Sequence, residues 1–149
     1  MIAGYVWLRR GDYQKAIASL APVVRRYPED IGAWNLLGEC QRRAGQPGQA
    51  ARTLEQASIV GRTSFVTFFY LGEAYRDAQR LDRAIAAYRE VTRLEPEFAP
   101  AWFELGAACV RIGDREQVAA SLVRLEKLEP SLAEELKRRI AEGPSKPTR

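Results

Sequence analysis

The sequence predicts an all-α protein that consists of stacked helix-turn-helix repeats. Three observations lead to this prediction: glycine recurs every 34 residues, apolar residues within each period follow helical spacing, and glycine or proline separates the segments. The recurring glycines are Gly4, Gly38, Gly72 and Gly106.

Other columns keep the same period, so a chance recurrence of glycine is excluded. Leucine precedes the glycine by one position and an aromatic residue precedes it by four, while small residues, turn glycines and closing prolines form further columns. Their members are Leu37, Leu71 and Leu105; Trp34, Phe68 and Trp102; Ala16, Ala50 and Ala84, with Val118 fourth; Gly11, Gly45 and Gly113, with Gln79 in one place; and Pro28, Pro96 and Pro130, with Arg62 in one place.

The second period shows how each element is specified. Trp34, Leu37 and Gly38 lie on one helical stripe, and we expect another backbone to approach closely at the glycine. Gly45 is expected to end this helix, and Pro47 suits the first turn of the next one. Each period is therefore predicted to form two helices joined by a tight turn.

The third period begins without a closing proline before it. Gly61 is expected to end the preceding helix in its place, and Ser64 is expected to cap the next helix. A helix boundary is therefore still predicted between the second and third periods.

A last amphipathic helix is predicted over residues 131–143. Ser131 and Glu134 have the spacing of a capping box, and Gly143 followed by proline ends the segment. The helix is expected to close the end of the stack with a polar outer face, as a finite repeat array requires. Its covering side chains are expected to be Leu132, Leu136 and Ile140.

The aromatic-x-x-Leu-Gly segment, the Gly-x-x-x-x-Ala segment and the closing proline at a 34-residue period resemble the tetratricopeptide repeat. The resemblance covers residues 1–130. It implies a right-handed superhelix of stacked helix pairs, in which the first helix of each pair lines a concave groove. It divides this part of the chain into four repeats, the first one truncated: 1–30, 31–64, 65–98 and 99–130. The capping helix at 131–143 and a tail at 144–149, which is expected to be disordered, follow them.

The family geometry also implies which side chains face the groove. Phe69 and Phe103 are expected to present aromatic surface to a ligand. The Glu39–Arg42 and Glu73–Arg76 pairs either contact charged groups of a ligand or pair only within their own helices. The groove positions are Tyr5, Leu8, Asn35, Glu39, Arg42, Val66, Phe69, Glu73, Arg76, Phe103, Ala107 and Val110.

Some tetratricopeptide domains hold acidic chaperone tails with a clamp of lysine, asparagine, asparagine, lysine and arginine. The matching positions here hold Met1, Tyr5, Leu36, Val66 and Tyr70. One repeat further along, Asn35 is the one helpful polar residue, and the lysines are missing. The sequence therefore argues against a chaperone-tail cofactor.

The composition argues against catalysis and metal binding. The chain has no histidine, which is the usual general base and metal ligand. It also has no Walker loop, dinucleotide fingerprint or GxSxG motif. Cys40 and Cys109 form no zinc motif and are expected to be buried, reduced thiols. We therefore expect a protein that is not an enzyme, with no cofactor and no metal.

The charge leaves more than one partner class open. A net charge of +4 and a pI near 9.3, mostly from arginine, make nucleic acid conceivable. The arginines are scattered among acidic residues, however, and Glu39 and Glu73 interleave with them in the groove. We therefore expect a peptide or protein ligand in the groove. The alternatives are a self-assembling scaffold and, less favoured, a basic nucleic-acid-binding repeat protein.

The N-terminal end offers a second surface. A truncated first helix is expected to leave Tyr13, Ile17 and Leu20 with less cover than inner repeats have, which favours either a homo-oligomer through this end or a parent protein with more repeats. No secretory signal or stretch of about 18 apolar residues is present, so no membrane span is predicted. A cytoplasmic location is expected, and the alternative is an excised piece whose targeting segment was lost.

Overall fold

The computed structural model describes the backbone of residues 2–143 and the side chains of residues 6–143. Over this range the chain forms nine α-helices and no strand, which confirms the all-α prediction. The tail prediction for 144–149 and the side chain of Tyr5 lie outside the described residues. The helices are α1 (Ile2–Arg10), α2 (Tyr13–Arg26), α3 (Ile31–Arg43), α4 (Pro47–Val60), α5 (Phe65–Asp77), α6 (Leu81–Leu94), α7 (Ala99–Ile112), α8 (Arg115–Leu128) and α9 (Pro130–Glu142).

Consecutive helices pack against each other along the whole array. The pairs are α1 with α2, α3 with α4, α5 with α6, and α7 with α8, while α2–α3, α4–α5 and α6–α7 contacts join neighbouring pairs. The first helices α3 and α5 also touch each other directly, and α9 packs on both α7 and α8. Each pair thus contacts its neighbours in sequence, which is the arrangement of a solenoid.

The turns within the pairs follow the predicted punctuation. Gly11, Gly45 and Gly113 have φ of +78°, +76° and +77°, in the left-handed region that glycine enters without strain. Gln79 takes the same place in the third pair with φ +60°, a conformation that other residues adopt at a cost of about 1–2 kcal/mol. Pro47 lies in the first turn of α4, as predicted.

The caps agree in part with the prediction. The side chain of Ser64 accepts a hydrogen bond from the backbone N–H of Thr67, so this cap is confirmed. The capping box at Ser131 is wrong. Because Pro130 already occupies the first turn of α9, Ser131 lies inside the helix, where its hydroxyl donates to Glu129.

The glycine column is explained by side chains of neighbouring helices rather than by a neighbouring backbone. A Cβ atom on Gly38 would lie 2.5 Å from Leu54 Cγ, and one on Gly72 would lie 2.5 Å from Tyr88 Cε1. Both Leu54 and Tyr88 are fully buried on the second helix of the same pair. Glycine thus allows a large side chain to lie directly on the first helix.

The aromatic and proline columns are joined by a hydrogen bond. The indole N–H of Trp34 donates to the carbonyl oxygen of Pro28 at 2.9 Å, and Trp102 donates to that of Pro96 at 2.8 Å. Phe68 holds the tryptophan position of the third repeat and has no such donor. The bond therefore ties the end of one repeat to the next in two of the junctions.

The two ends of the array differ from the expectations. Leu20 is 1 % exposed and packs in a cluster with Trp7 and Leu8 of α1, so the prediction that it lacks cover is wrong. At the other end Leu136 is fully buried and Leu132 half-buried, as predicted, whereas Ile140 is 39 % exposed. Among the described residues no helix is both long and apolar enough to cross a membrane.

We predict that Gly72→Ala destabilises the protein by about 1–3 kcal/mol, because the added methyl group overlaps the buried Tyr88 ring. Gly48→Ala is the matched control, since nothing lies within 4 Å of the methyl group that it adds. The control is expected to leave the free energy of unfolding unchanged or slightly higher. Urea denaturation followed by circular dichroism measures both variants, and equal stability of the two would contradict the packing argument.

Candidate functional site

The predicted groove positions lie on the first helices α1, α3, α5 and α7, and we call the surface that they form the groove face. Val66 is 40 % exposed. Partly buried side chains belong to Leu8, Arg42, Phe69, Glu73, Arg76 and Val110, and buried ones to Asn35, Glu39, Phe103 and Ala107.

Arg42 joins the second repeat to the third. Its Nε and Nη2 atoms donate to the two carboxylate oxygens of Glu39, at 2.9 and 3.0 Å, in the bidentate geometry that suits a guanidinium. Its Nη1 atom donates to Asp77 Oδ2 on α5 at 2.7 Å. The guanidinium thus bridges α3 and α5.

Arg76 repeats this role one step further along. Its Nη1 atom lies 2.7 Å from Glu73 Oε1 on its own helix and 2.8 Å from Glu104 Oε2 on α7. Its Nη2 atom lies 3.1 Å from Asp77 Oδ1. A continuous series of ion pairs therefore connects three first helices. We call it the inter-repeat ladder, and it consists of Glu39, Arg42, Arg43, Glu73, Arg76, Asp77 and Glu104.

Tyr88 of α6 forms a hydrogen bond with the ladder: its hydroxyl donates to Glu73 Oε1 at 2.8 Å. Burial raises the pKa of Glu73, and the nearby Glu104 carboxylate raises it further, while Tyr88 and Arg76 act in the opposite direction. Hydrogen bonds to Glu39 raise the pKa of Arg42. Arg42 therefore stays charged, whereas ionisation of the Glu73 carboxyl costs free energy in the folded protein.

The ladder answers the question that the sequence left open for these charges. They do pair within their own helices, yet both arginines also bind carboxylates of the following repeat. Sequence reasoning missed Asp77 and Glu104 as partners. Asp77 follows its repeat glycine and Glu104 precedes its own, so the two residues do not form a periodic column. Which carboxylate contacts an arginine depends on how successive helix pairs stack.

The aromatic predictions have different outcomes. Phe69 is partly buried, with its ring centroid 5.2 Å from that of Phe98 and 6.0 Å from that of Tyr88. Phe103 is only 8 % exposed, and the Arg139 guanidinium lies 4.6 Å from its ring centroid. The expectation that Phe103 presents its ring to solvent is therefore wrong, because α9 covers it.

Metal and thiol chemistry find no support in the described part of the chain. No group of three or more cysteine, aspartate or glutamate residues there is arranged to hold a metal ion. Cys40 and Cys109 are buried free thiols, and burial raises the pKa of each to about 11. Both thiols are thus protonated at neutral pH and are poor nucleophiles.

Comparisons with known proteins agree with this architecture. A family model described as TPR repeat matches residues 72–113, and one described as Tetratricopeptide repeat matches residues 8–63. Superkiller complex protein 3 of Mus musculus is 28% identical over 118 residues, which are 74% of this chain and 8% of that protein. The chain thus spans less than a tenth of the length of this relative.

Solved structures show the same fold. The crystal structure of MamA has a TM-score of 0.81 at 20% identity, over 95% of this chain and 92% of MamA. YrrB, described as a TPR protein with an unusual peptide-binding site, has a TM-score of 0.80 at 23% identity, over 91% of this chain and 71% of YrrB. The prediction of a right-handed superhelix of stacked helix pairs is confirmed.

We predict that Arg76→Met lowers the free energy of unfolding by about 1–3 kcal/mol. Methionine keeps much of the side-chain length, but Glu73, Asp77 and Glu104 lose the charge that they share. Arg93→Met is the control, because Arg93 is exposed and pairs with Glu90 on its own helix. We expect little change there, and chemical denaturation of both variants measures the difference. An equal change in both variants would show that the ladder arginine adds no more stability than an exposed ion pair.

The raised pKa of Glu73 predicts a pH effect. Since ionisation of this carboxyl costs more in the folded protein than in the unfolded chain, the wild type is penalised once the pH rises through the folded pKa. Glu73→Gln removes this ionisation, so the free energy of unfolding of the variant minus that of the wild type should be more positive at about pH 7 than at about pH 4. Denaturation at both pH values measures it, and a difference that is constant or larger at the lower pH would overturn this prediction.

Proposed function

This chain belongs to the tetratricopeptide repeat family, and we propose that it acts as a non-catalytic interaction module that binds a peptide or protein segment along the groove face. The observation that carries this proposal is the apolar surface at the start of α5, the helix that also carries the ladder residues Glu73, Arg76 and Asp77. Val66 is 40 % exposed there, and the partly buried Phe69 lies one helical turn further on. Apolar side chains of a ligand gain about 25 cal/mol per Å² that they cover there.

The ladder supplies ordered polar groups on the same helix, towards the end of α5. Arg76 and Asp77 keep 31% of their side-chain surface exposed, so they remain accessible to a ligand while ion pairs hold them in place. A surface that is ordered before binding loses less conformational entropy on association. The groove face is thus suited to an extended segment that places apolar side chains beside polar ones.

The charge of the ladder supports a choice among ligands. Its four carboxylates outnumber its three arginines, and each arginine already binds a carboxylate. An acidic tail or a phosphate backbone would have to displace these partners and would meet an excess of negative charge. This supports a protein segment over nucleic acid and agrees with the absence of a chaperone-tail clamp.

The relatives support the same class of function. YrrB is described with a peptide-binding site, and Superkiller complex protein 3 is by its name a component of a complex. Self-assembly is the second candidate, supported by Val6 of α1, which is 42 % exposed in the first helix pair.

A capture experiment with matched variants tests the groove. Val66→Glu places a charge on the exposed apolar surface of α5, and Ile59→Glu does the same on the second helix α4, where Ile59 is 59 % exposed. Proteins captured from source-cell lysate by wild-type, Val66→Glu and Ile59→Glu baits are compared by mass spectrometry. Overlapping synthetic peptides that cover the sequence of the captured protein are then tested for binding.

We expect one protein to be retained by the wild type and by Ile59→Glu and to be lost with Val66→Glu. One of its peptides should bind the wild type with an affinity that Val66→Glu lowers about tenfold or more. Circular dichroism confirms that all three baits are folded. Retention of the same proteins by Val66→Glu and the wild type would contradict binding at the groove face.

A further inference from the structure

An apolar cleft of about 670 Å³ lies at the C-terminal end of the array, away from the inter-repeat ladder. It is enclosed by the end of α7, the first half of α8 and the last turn of α9. Apolar side chains form most of its wall, among them Val110, Ile112, Val118, Leu122 and Ile140. Ile112 is 48 % exposed and Ile140 is 39 % exposed.

The 34-residue period shows what covers the same place inside the array. One repeat earlier, the residues equivalent to Cys109, Val118 and Leu122 are Tyr75, Ala84 and Tyr88. All three are buried. They belong to one apolar cluster with side chains of the following helix pair: Leu105, Ala108 and Cys109 of α7 and Val118 of α8. Helices of the next repeat thus close the equivalent place in the third repeat.

Helix α9 does not supply this cover for the fourth repeat. Thirty-four residues after Leu105 and Ala108, α9 has the charged residues Arg139 and Glu142. Gly143, directly after α9, takes the place of Cys109. No second helix follows α9 within the described residues. Among the described residues, the cleft is therefore an apolar place that helices line but that no helix covers.

The charge of the cleft selects among candidate occupants. Arg111 and Arg115 are exposed at the rim, and no acidic residue occurs among the described residues that line the cleft. Helix α1 of a second copy ends in Arg9 and Arg10, which repel such a rim. Residues 144–149 contain no large apolar side chain and two cationic ones. Neither segment has the required chemistry, whereas a helix with acidic flanks does.

We propose that this C-terminal cleft binds one amphipathic α-helix of a partner protein, whose apolar face enters the cleft and whose acidic side chains face Arg111 and Arg115. In the ligand helix the apolar side chains are spaced three or four residues apart, so that they share one face. The cleft shares Val110 with the groove face, but the residues changed in the two tests belong to one surface each, so either proposal can fail without affecting the other.

The probe is a synthetic, fluorescein-labelled helical peptide of about two heptads, with leucine on one face and glutamate on both flanks. A second peptide carries lysine in place of every glutamate. The proteins are the wild type, Ile112→Glu in the cleft, Arg115→Glu at the rim, and Val123→Glu as control. Val123 is 57 % exposed on α8 and does not line the cleft.

Fluorescence anisotropy should show that the wild type prefers the glutamate peptide. We expect Ile112→Glu to weaken this binding about tenfold or more, Val123→Glu to leave it unchanged, and Arg115→Glu to favour the lysine peptide. Circular dichroism checks folding, and Ile140→Glu replaces Ile112→Glu if the latter does not fold.

Three results would overturn the proposal. The first is equal or absent binding of both peptides by the wild type, and the second is equal binding by Ile112→Glu and Val123→Glu. The third comes from sedimentation equilibrium of the wild type. A dimer that Ile112→Glu dissociates would show that a second copy occupies the cleft instead of a partner helix.

Discussion

The contact between Tyr88 and Gly72 connects the packing of this protein with its surface. The buried ring lies directly on the first helix of the third repeat because glycine has no side chain there. The same residue places its hydroxyl 2.8 Å from Glu73, which in turn binds Arg76. A single buried side chain therefore sets the distance between two helices and supports the charges on the groove face. Leu54 provides the same packing in the second repeat but has no polar atom.

The inter-repeat ladder extends this local order along the array. In a solenoid each repeat contacts only its neighbours, so stability depends on the interfaces between adjacent repeats. Arg42 and Arg76 each bind carboxylates of their own repeat and of the next one, and they therefore act at two successive interfaces. Because these pairs are partly buried, water and salt screen them less than exposed pairs. The charges that border the proposed ligand surface thus also hold neighbouring repeats together.

The two proposed binding surfaces arise from different departures from regular repetition. On the groove face, Val66 exposes an apolar side chain at the start of α5, whose other end carries charges that already have partners. At the C-terminal end, α9 places Arg139 and Glu142 where earlier first helices have apolar residues, so the fourth repeat keeps an open cleft. The first surface is suited to an extended segment and the second to a helix.

The sequence by itself determined the repeat, the helix pairs and most of the turns, because spacing along a helix and the conformational limits of glycine and proline are local properties. Ser64 and Pro47 show this, since a cap and a first-turn proline depend on neighbours within a few residues. Only the tertiary structure decided that Phe103 is covered by α9, that Asp77 and Glu104 complete the ladder, and that Ile112 remains uncovered. These outcomes depend on how separate helix pairs are rotated against one another. That rotation is the sum of many side-chain contacts between repeats, and no periodic pattern within one repeat encodes it.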